Sequence, residues 1–289
     1  MKSLLALLRP SQWTKNVFVL APLLFAQEVG RPGQALRSLA AFALFCLAAS
    51  AVYAANDVLD AERDRIHPRK RLRPVASGAV SPAAAIALST LLAALSLGGA
   101  WLVSRELALT VGAYLALNLL YTLGLRNLVL VDALSIAISF VLRVLAGAAA
   151  IHVAASHWLL LCTLLLALYL AFAKRRAELR LLSDSAEGHR AALKGYTPEL
   201  LDRFDSILLG ATVVAYALYT VAPETVAKFG SDRLIYGLPF VIYGLFRYLL
   251  LVENGADAAE PGALALKDPP LVACVVLWIV FNAAAIYWR

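Results

Sequence analysis

The residues best suited to chemistry are four oxygen-bearing side chains directly after a long apolar run: Asn56, Asp57, Asp60 and Asp64. If that run continues as a helix at about 100° per residue, all four lie within an arc of about 100°. Oxygen ligands on one face suit Mg²⁺, which keeps part of its water shell and commonly joins one or two carboxylates to a substrate phosphate. The spacing does not fit a calcium-binding loop. The competing interpretation is a solvated loop whose acids pair with nearby arginines.

A basic stretch follows the acids and ends at Gly78; its cations include Arg65, Lys70, Arg71 and Arg73. Beside an acidic metal helix, Arg and Lys are the side chains that a pyrophosphate requires. A basic loop at a membrane surface has an equally good alternative explanation, because it could simply meet anionic lipid. The residues alone leave both interpretations open.

A second charged group lies about a hundred residues later, in the segment FAKRRAEL. On a helix, Lys174, Arg175 and Glu178 share one face, whereas Arg176 points elsewhere. Two cations and one carboxylate suit a substrate that carries both phosphate and hydroxyl groups. The tendency of basic residues to collect on the cytoplasmic side of a membrane competes with this interpretation for both cations.

Five further residues are candidates for substrate binding: Lys15, Tyr121, Arg126, Arg143 and Tyr196. Arg143 lies inside an apolar run, where a charge is costly unless it is paired or lines a wet cavity. Lys15 opens an apolar segment, and Tyr121 and Arg126 close another. The residues around Tyr196 suggest no role for it.

The elements that must position these groups are membrane-spanning helices. Hydrophobic residues make up 62% of the 289 positions, charged residues only 16%, and the mean hydropathy is +0.76. The apolar residues fall into blocks of about 20, the length of a bilayer-spanning helix. We predict an all-α integral membrane protein with about nine spans, at 13–30, 36–57, 82–103, 106–124, 129–151, 157–178, 203–222, 232–252 and 269–288.

No repeat or linker divides the chain, so we predict a single catalytic domain over residues 1–289. Residues 1–12 are predicted to form an interfacial helix, and 58–81 and 179–202 to form loops that cap the domain. The net charge of +7 could indicate nucleic acid, but basic loops of a membrane protein give the same total, and we expect no nucleic-acid partner. Most Lys and Arg fall on the side of the N-terminus and both charged loops. This bias predicts a multi-pass protein of the inner (cytoplasmic) membrane with its N-terminus and active site in the cytoplasm.

The motif NDVLDAERDRIHPRKRLRPVASG, at residues 56–78, resembles the UbiA superfamily of intramembrane prenyltransferases, whose first signature is NDxxDxxxD. Typical members carry a second acidic motif, DxxxD, where this sequence has FAKRRAEL. That departure, with RPSQWTKN near the start and GYT at 195–197, resembles the decaprenyl-phosphate phosphoribosyltransferase branch. The resemblance implies a UbiA-like bundle with a cytoplasm-facing, laterally open cavity. It also implies Mg²⁺ as cofactor, with phosphoribosyl pyrophosphate and a polyprenyl phosphate as substrates.

With this resemblance, roles can be given to the candidate residues. We predict that Asn56, Asp60 and Asp64 bind the metal, and that Asp57, Asp60 and Asp64 are catalytic. Substrate contacts are predicted for Lys15, Arg65, Lys70, Arg71, Tyr121, Arg126, Arg143, Lys174, Arg175, Glu178 and Tyr196. The alternatives are a prenyltransferase acting from a prenyl diphosphate on a small acceptor and, more remotely, a transporter. A homo-oligomer is compatible with the sequence.

Overall fold

The computed structural model describes residues 2–66, 70–182, 191–254 and 261–288. Throughout this part of the chain the regular structure is helical. Eight helices in it are long and apolar enough to cross a bilayer, which makes the protein a multi-pass membrane protein. They match eight of the predicted spans and cover Pro32–Leu59, Pro82–Val103, Arg105–Leu123, Val131–Ala150, His157–Leu179, Pro198–Val221, Arg233–Glu253 and Pro269–Tyr287.

The elements that matter for the site can be named in chain order. The first four are α1 (Lys2–Leu8), α2 (Ala21–Phe25), α3 (Pro32–Leu59) and α4 (Ala61–Arg65). The next five are α5 (Pro82–Val103), α6 (Arg105–Leu123), α7 (Val131–Ala150), α8 (His157–Leu182) and α9 (Pro198–Val221). The last four are α10 (Pro223–Phe229), α11 (Leu238–Glu253), α12 (Pro261–Lys267) and α13 (Pro269–Tyr287).

The first predicted span, 13–30, differs from the others because it is not one continuous α-helix. A 3₁₀ helix runs over Pro10–Leu20 and is followed by the short α2. Pro22 lies in the first turn of α2, where its missing N–H removes a bond that a continuous helix would need. The apolar block at 13–30 is therefore divided into two short helical pieces.

Helix starts follow from local capping chemistry. The side chains of Ser81, Ser104, Thr197 and Asp268 each accept a hydrogen bond from the backbone N–H three residues later, at 2.9–3.3 Å. Such caps satisfy N–H groups that have no partner within the helix. A proline directly follows three of these caps, where it costs no hydrogen bond.

The acidic motif lies where α3 passes into α4. The break between the two helices is at Asp60, whose N–H still donates to the carbonyl of Asn56 at 2.9 Å. The N–H of Asp64 in turn donates to the carbonyl of Asp60 at 2.8 Å. Because helical hydrogen bonding continues through the break, the acids keep a helix-like spacing.

The chain divides into two compact units, one built mainly from α1–α7 and the other from α8–α13. The prediction of a single catalytic domain stays a prediction. In the first unit, α3 presents Ala48 and Ala49 to a buried core that also contains Leu107 of α6 and Ala146 of α7. Small residues at such positions let helix backbones approach closely. In the second unit, aromatic rings join the helices, with Tyr169 of α8 5.8 Å from Tyr248 of α11.

Candidate active site

The most deeply buried acid of the motif is Asp57, which is 1% exposed. Its Oδ1 accepts a hydrogen bond from the Arg9 guanidinium, and Nη1 of Arg73 lies 3.9 Å from the same oxygen. Its second oxygen, Oδ2, is buried without a hydrogen-bond partner. An orphaned carboxylate oxygen in a buried position is costly unless another group binds it.

The other members of the motif are each held by a different element. Asp64 accepts a hydrogen bond from Arg73 at 2.5 Å, and Asp60 accepts one from Arg126 at 2.8 Å. The amide oxygen of Asn56 accepts from the hydroxyl of Thr122 at 2.7 Å. Carboxylates therefore alternate with guanidinium groups over a short region of the first unit. Such a surface can bind a cation on its acids and a phosphate on its arginines.

The donor set fits Mg²⁺. Among the described residues, no three His, Cys, Asp or Glu side chains come together as a metal cage of their own. Mg²⁺ rarely uses such a cage, because it binds one or two carboxylates and fills the remaining positions with water and substrate phosphate. The partnerless Oδ2 of Asp57 adds a buried anionic atom that a nearby cation would stabilise.

The remaining predicted residues of the first unit differ in exposure. Arg65 and Arg71 are exposed, and Lys70 is half-buried in a 3₁₀ turn at Lys70–Leu72. Lys15 and Tyr121 are half-buried as well. Arg69, in the same basic stretch, lies outside the described residues. The side chains of Arg65 and Arg71 are thus open to an incoming ligand.

Arg143 is only 4% exposed, and its polar contacts are with its own surroundings in the bundle. Its Nε donates to Asn16 Oδ1 at 2.9 Å, its Nη1 to the Ser139 carbonyl at 2.8 Å and its Nη2 to the Tyr114 hydroxyl at 3.3 Å. The guanidinium also lies about 5 Å from the ring centres of Tyr114 and Phe140. These contacts satisfy the guanidinium with neutral acceptors and aromatic rings, and they do not involve the acidic motif.

The second charged group belongs to the second unit. Arg175 is fully buried and donates to Glu178 one turn further along α8. Lys174 is half-buried. Tyr196 is 4% exposed, and its ring lies 6.0 Å from that of Phe172. The shared face predicted for Arg175 and Glu178 is thus present as a direct contact.

Arg176 occupies a separate acidic pocket in the second unit. It is 3% exposed and contacts Asp202 at 2.9 Å, Asp205 at 3.3 Å and Glu253. These carboxylates come from α9 and α11, so the guanidinium joins three helices. A single guanidinium among three carboxylates makes this a strongly coupled ionic cluster.

Sequence reasoning missed two residues that contact the acidic motif, Arg9 and Thr122, and it named Arg73 as a cation of the basic stretch without its contact to Asp64. Arg9 and Arg73 were visible as parts of RPSQWTKN and RPVASG, but a basic residue in a cytoplasmic loop needs no partner to explain it. Thr122 lies beside the predicted Tyr121, and nothing in its local sequence distinguishes it. Their pairing with acids many residues away is a property of the fold.

The fold and this site define a polytopic helical membrane protein with an aspartate-rich helix at the end of one span. A family model for the UbiA prenyltransferase family matches residues 16–267, and the chain belongs to this family. It is 35% identical to decaprenyl-phosphate phosphoribosyltransferase of Mycolicibacterium smegmatis, over 99% of the chain and 92% of the relative. It is 37% identical to the protein of the same name from Mycobacterium tuberculosis, over 96% of the chain and 92% of the relative.

The fold is also similar to that of a UbiA homologue from Archaeoglobus fulgidus whose structure was solved with GPP and Mg²⁺ bound. The TM-score is 0.74 at 18% identity, with 98% of this chain and 99% of the other covered. At that identity the similarity establishes the fold alone. Family and relatives together indicate that the protein is a transferase enzyme.

Proposed function

We propose that the protein transfers 5-phosphoribose from phosphoribosyl pyrophosphate to a polyprenyl phosphate of the decaprenyl type and releases pyrophosphate. The observation that carries this proposal is the identity of 35–37%, over nearly the whole chain, to relatives named decaprenyl-phosphate phosphoribosyltransferase. The charged groups support it, because one predicted face of FAKRRAEL provides Lys174, Arg175 and Glu178 for a donor with a phosphate and hydroxyls.

Asn56, Asp60 and Asp64 are the proposed Mg²⁺ ligands, with Asp57 beside them. When bound, the metal neutralises charge on the departing pyrophosphate. Arg73 and Arg126 keep the carboxylates oriented through the contacts at 2.5 and 2.8 Å. The exposed Arg65 and Arg71, with Lys70, then bind pyrophosphate oxygens.

In the second unit, Lys174 and Arg175 bind the 5-phosphate of the donor, and Glu178 accepts hydrogen bonds from the ribose hydroxyls. The contact between Arg175 and Glu178 supports this division, because it orients both side chains before substrate arrives. Tyr196, half a turn from the start of α9, contributes a hydroxyl to the same substrate.

The acceptor phosphate is positioned by Lys15, Tyr121 and Arg126. One of its oxygens forms a bond to the anomeric carbon of ribose while the bond from that carbon to pyrophosphate breaks. An ionised phosphate is already a nucleophile and needs no general base. In-line displacement inverts the configuration at that carbon. The polyprenyl acceptor lies in a membrane, and the collection of most Lys and Arg on the side of both charged loops supports an enzyme of the inner membrane with these groups on the cytoplasmic side.

The test compares two donors on the purified protein in lipid nanodiscs containing decaprenyl phosphate. Phosphoribosyl pyrophosphate labelled in its ribose is supplied in one reaction, and labelled geranyl diphosphate with an aromatic acceptor in the other. The proposal predicts a labelled lipid only from the first, and no product when EDTA removes divalent cations. A labelled prenyl product and an unlabelled decaprenyl phosphate would instead establish a prenyltransferase. Asp60→Asn is expected to abolish Mg²⁺-dependent turnover, whereas Glu62→Gln, which changes an exposed acid two residues further along in α4, is the matched control.

A further inference from the structure

We propose that Arg143 is a positioning residue that anchors the N-terminal segment (Arg9–Leu20) and thereby holds Arg9 on Asp57. The segment is unusual because eleven consecutive residues, Pro10–Leu20, form a 3₁₀ helix. Runs of this geometry longer than three or four residues are uncommon, since its hydrogen bonds are poorer than those of an α-helix. The segment therefore depends on tertiary contacts to keep its shape.

One end of the segment is fixed inside the bundle by α7. Asn16 is fully buried and accepts a hydrogen bond from Arg143 Nε at 2.9 Å. One helical turn further along α7, a Cβ on Gly147 would lie 1.9 Å from the carbonyl oxygen of Val19. The segment thus lies directly against the α7 backbone and bonds to the same face through Arg143.

At the other end of the segment, Arg9 contacts the acidic motif. Arg9 has φ of 47° and ψ of 62°, a left-handed conformation that non-glycine residues rarely adopt, and it precedes Pro10. Its guanidinium donates to Asp57 and lies 5.1 Å from the ring centre of Tyr53. Strained residues persist only where the surrounding structure holds them, and they are concentrated at functional sites.

The length of the segment links its two ends. A 3₁₀ helix rises about 2.0 Å per residue and an α-helix about 1.5 Å, so the seven steps from Arg9 to Asn16 span about 14 Å in the first form and about 10.5 Å in the second. Relaxation to an α-helix would shorten this stretch by about 3.5 Å, which is more than a hydrogen bond can absorb. With Asn16 and Val19 held on α7, the extended form keeps Arg9 at Asp57.

Between its ends the segment is held to α3 through Trp13 and Asn16, and Nδ2 of Asn16 donates to Cys46 Sγ at 3.2 Å. Trp13 Nε1 donates to Ser50 Oγ at 3.1 Å, and that hydroxyl donates to the Leu8 carbonyl at 2.8 Å. The contact made by Arg143 differs from those to α3 because it involves a charged group buried in a membrane helix. A guanidinium without hydrogen-bond partners there would cost much free energy. Its Nε, Nη1 and Nη2 are taken up by Asn16, Ser139 and Tyr114, which suits an anchor better than a ligand for substrate.

The first test measures amide hydrogen exchange of the peptide over residues 9–20 in Arg143→Met, a change that leaves the peptide's own sequence intact. We expect faster exchange in that peptide and unchanged exchange in α5. Tyr114→Phe is the matched control, because it removes the 3.3 Å contact to Arg143 and leaves the link to Asn16. Unchanged exchange over residues 9–20 in Arg143→Met would overturn the proposal. This measurement requires no catalysis, so it stands even if the proposed function fails.

The second test uses Arg143→Met/Asn16→Leu, which replaces both partners by apolar side chains. Exchanging both members of a buried pair can leave stability nearly unchanged, so this variant covers the case in which the single variant does not fold. The kinetic arm rests on the proposed function. Loss of a residue that orients a metal-site carboxylate is expected to lower kcat/KM for phosphoribosyl pyrophosphate by about 10- to 100-fold.

A double-mutant cycle with Arg9→Gln separates positioning from a general loss of structure. If Arg143 acts through Arg9, then adding Arg9→Gln to the paired variant produces no further loss of kcat/KM. Losses that multiply would mean that Arg143 and Arg9 act independently, and wild-type kinetics in the paired variant would mean that the anchor is unnecessary. Either result overturns the proposal. Absence of phosphoribose transfer by the wild-type protein would instead refute the proposed function.

Discussion

Replacing Gly147 by alanine should displace the N-terminal segment. The added Cβ would lie 1.9 Å from the Val19 carbonyl oxygen, 2.8 Å from the Val19 carbonyl carbon and 3.2 Å from Pro22 Cδ. Carbon and oxygen atoms in contact normally stay at least about 3.3 Å apart, so the segment must move by more than about 1 Å. Backbone cannot rotate away as a side chain can. We therefore expect Gly147→Ala to lower the free energy of unfolding by about 1–3 kcal/mol, the usual cost of overpacking.

The assay is thermal unfolding in detergent together with turnover at saturating donor and acceptor. Gly98→Ala is the matched control, because Gly98 also lies within a membrane helix and an added Cβ there has no atom within 4 Å. It should leave stability unchanged or raise it by about 0.4–1 kcal/mol, since alanine restricts the unfolded chain more than glycine does. Equal stability of Gly147→Ala and the wild type would refute the close approach of the segment to α7.

Three other substitutions test separate contacts. Thr122→Val removes the 2.7 Å hydrogen bond to Asn56 and should raise the Mg²⁺ concentration for half-maximal activity severalfold, because a typical hydrogen bond contributes about 1 kcal/mol. The control is Thr110→Val, on the exposed face of the same helix, which should leave that concentration unchanged. An equal change in both variants would exclude a role for Thr122 at the metal. Arg176→Gln leaves the buried Asp205 without its cation and should destabilise the fold by about 3–5 kcal/mol in chemical unfolding, whereas the exposed Arg233→Gln should change stability by less than about 0.5 kcal/mol. A hydrogen bond from Arg247 holds the pKa of Asp268 below its usual value, so this carboxylate binds fewer protons in the folded state than in the unfolded state. Its stabilising effect is present above its unfolded pKa of about 3.9 and is lost as the pH falls through the lower folded value. The melting temperatures of wild type and Asp268→Asn, which keeps a capping side chain, should therefore converge towards acidic pH; a constant difference from neutral to acidic pH would contradict the assignment.

Helix positions were largely predictable because the spans are long apolar blocks, and the helices after Ser81, Ser104, Thr197 and Asp268 also begin at a capping side chain. Pro82 and Pro269, for example, each follow a polar cap and begin a helix close to its predicted start. The exception is the block at 13–30, where hydropathy alone cannot distinguish a continuous helix from a 3₁₀ helix followed by α2. Its geometry depends on Arg143 and Gly147, which are more than a hundred residues away in sequence.

The candidate site was predictable to the extent that it is local. Asn56, Asp57, Asp60 and Asp64 lie within nine residues, and their common face stays a prediction from helical spacing, whereas the contact between Arg175 and Glu178 follows from a separation of three residues. The arginines that contact those acids could not be predicted from spacing. Arg9 reaches Asp57 across 48 residues, and Arg126 reaches Asp60 across 66. No periodicity encodes such pairs, because they form only when separate helices pack.

The central claim is tested most directly by following two labels in one molecule of phosphoribosyl pyrophosphate. One label is placed in the 5-phosphate and the other in the pyrophosphate, and the donor is incubated with the purified protein, Mg²⁺ and decaprenyl phosphate. Transfer of phosphoribose predicts the 5-phosphate label in the lipid product and an equal amount of the second label in free pyrophosphate. Pyrophosphate label in the lipid, or no label in lipid from a folded protein supplied with Mg²⁺, would contradict the account.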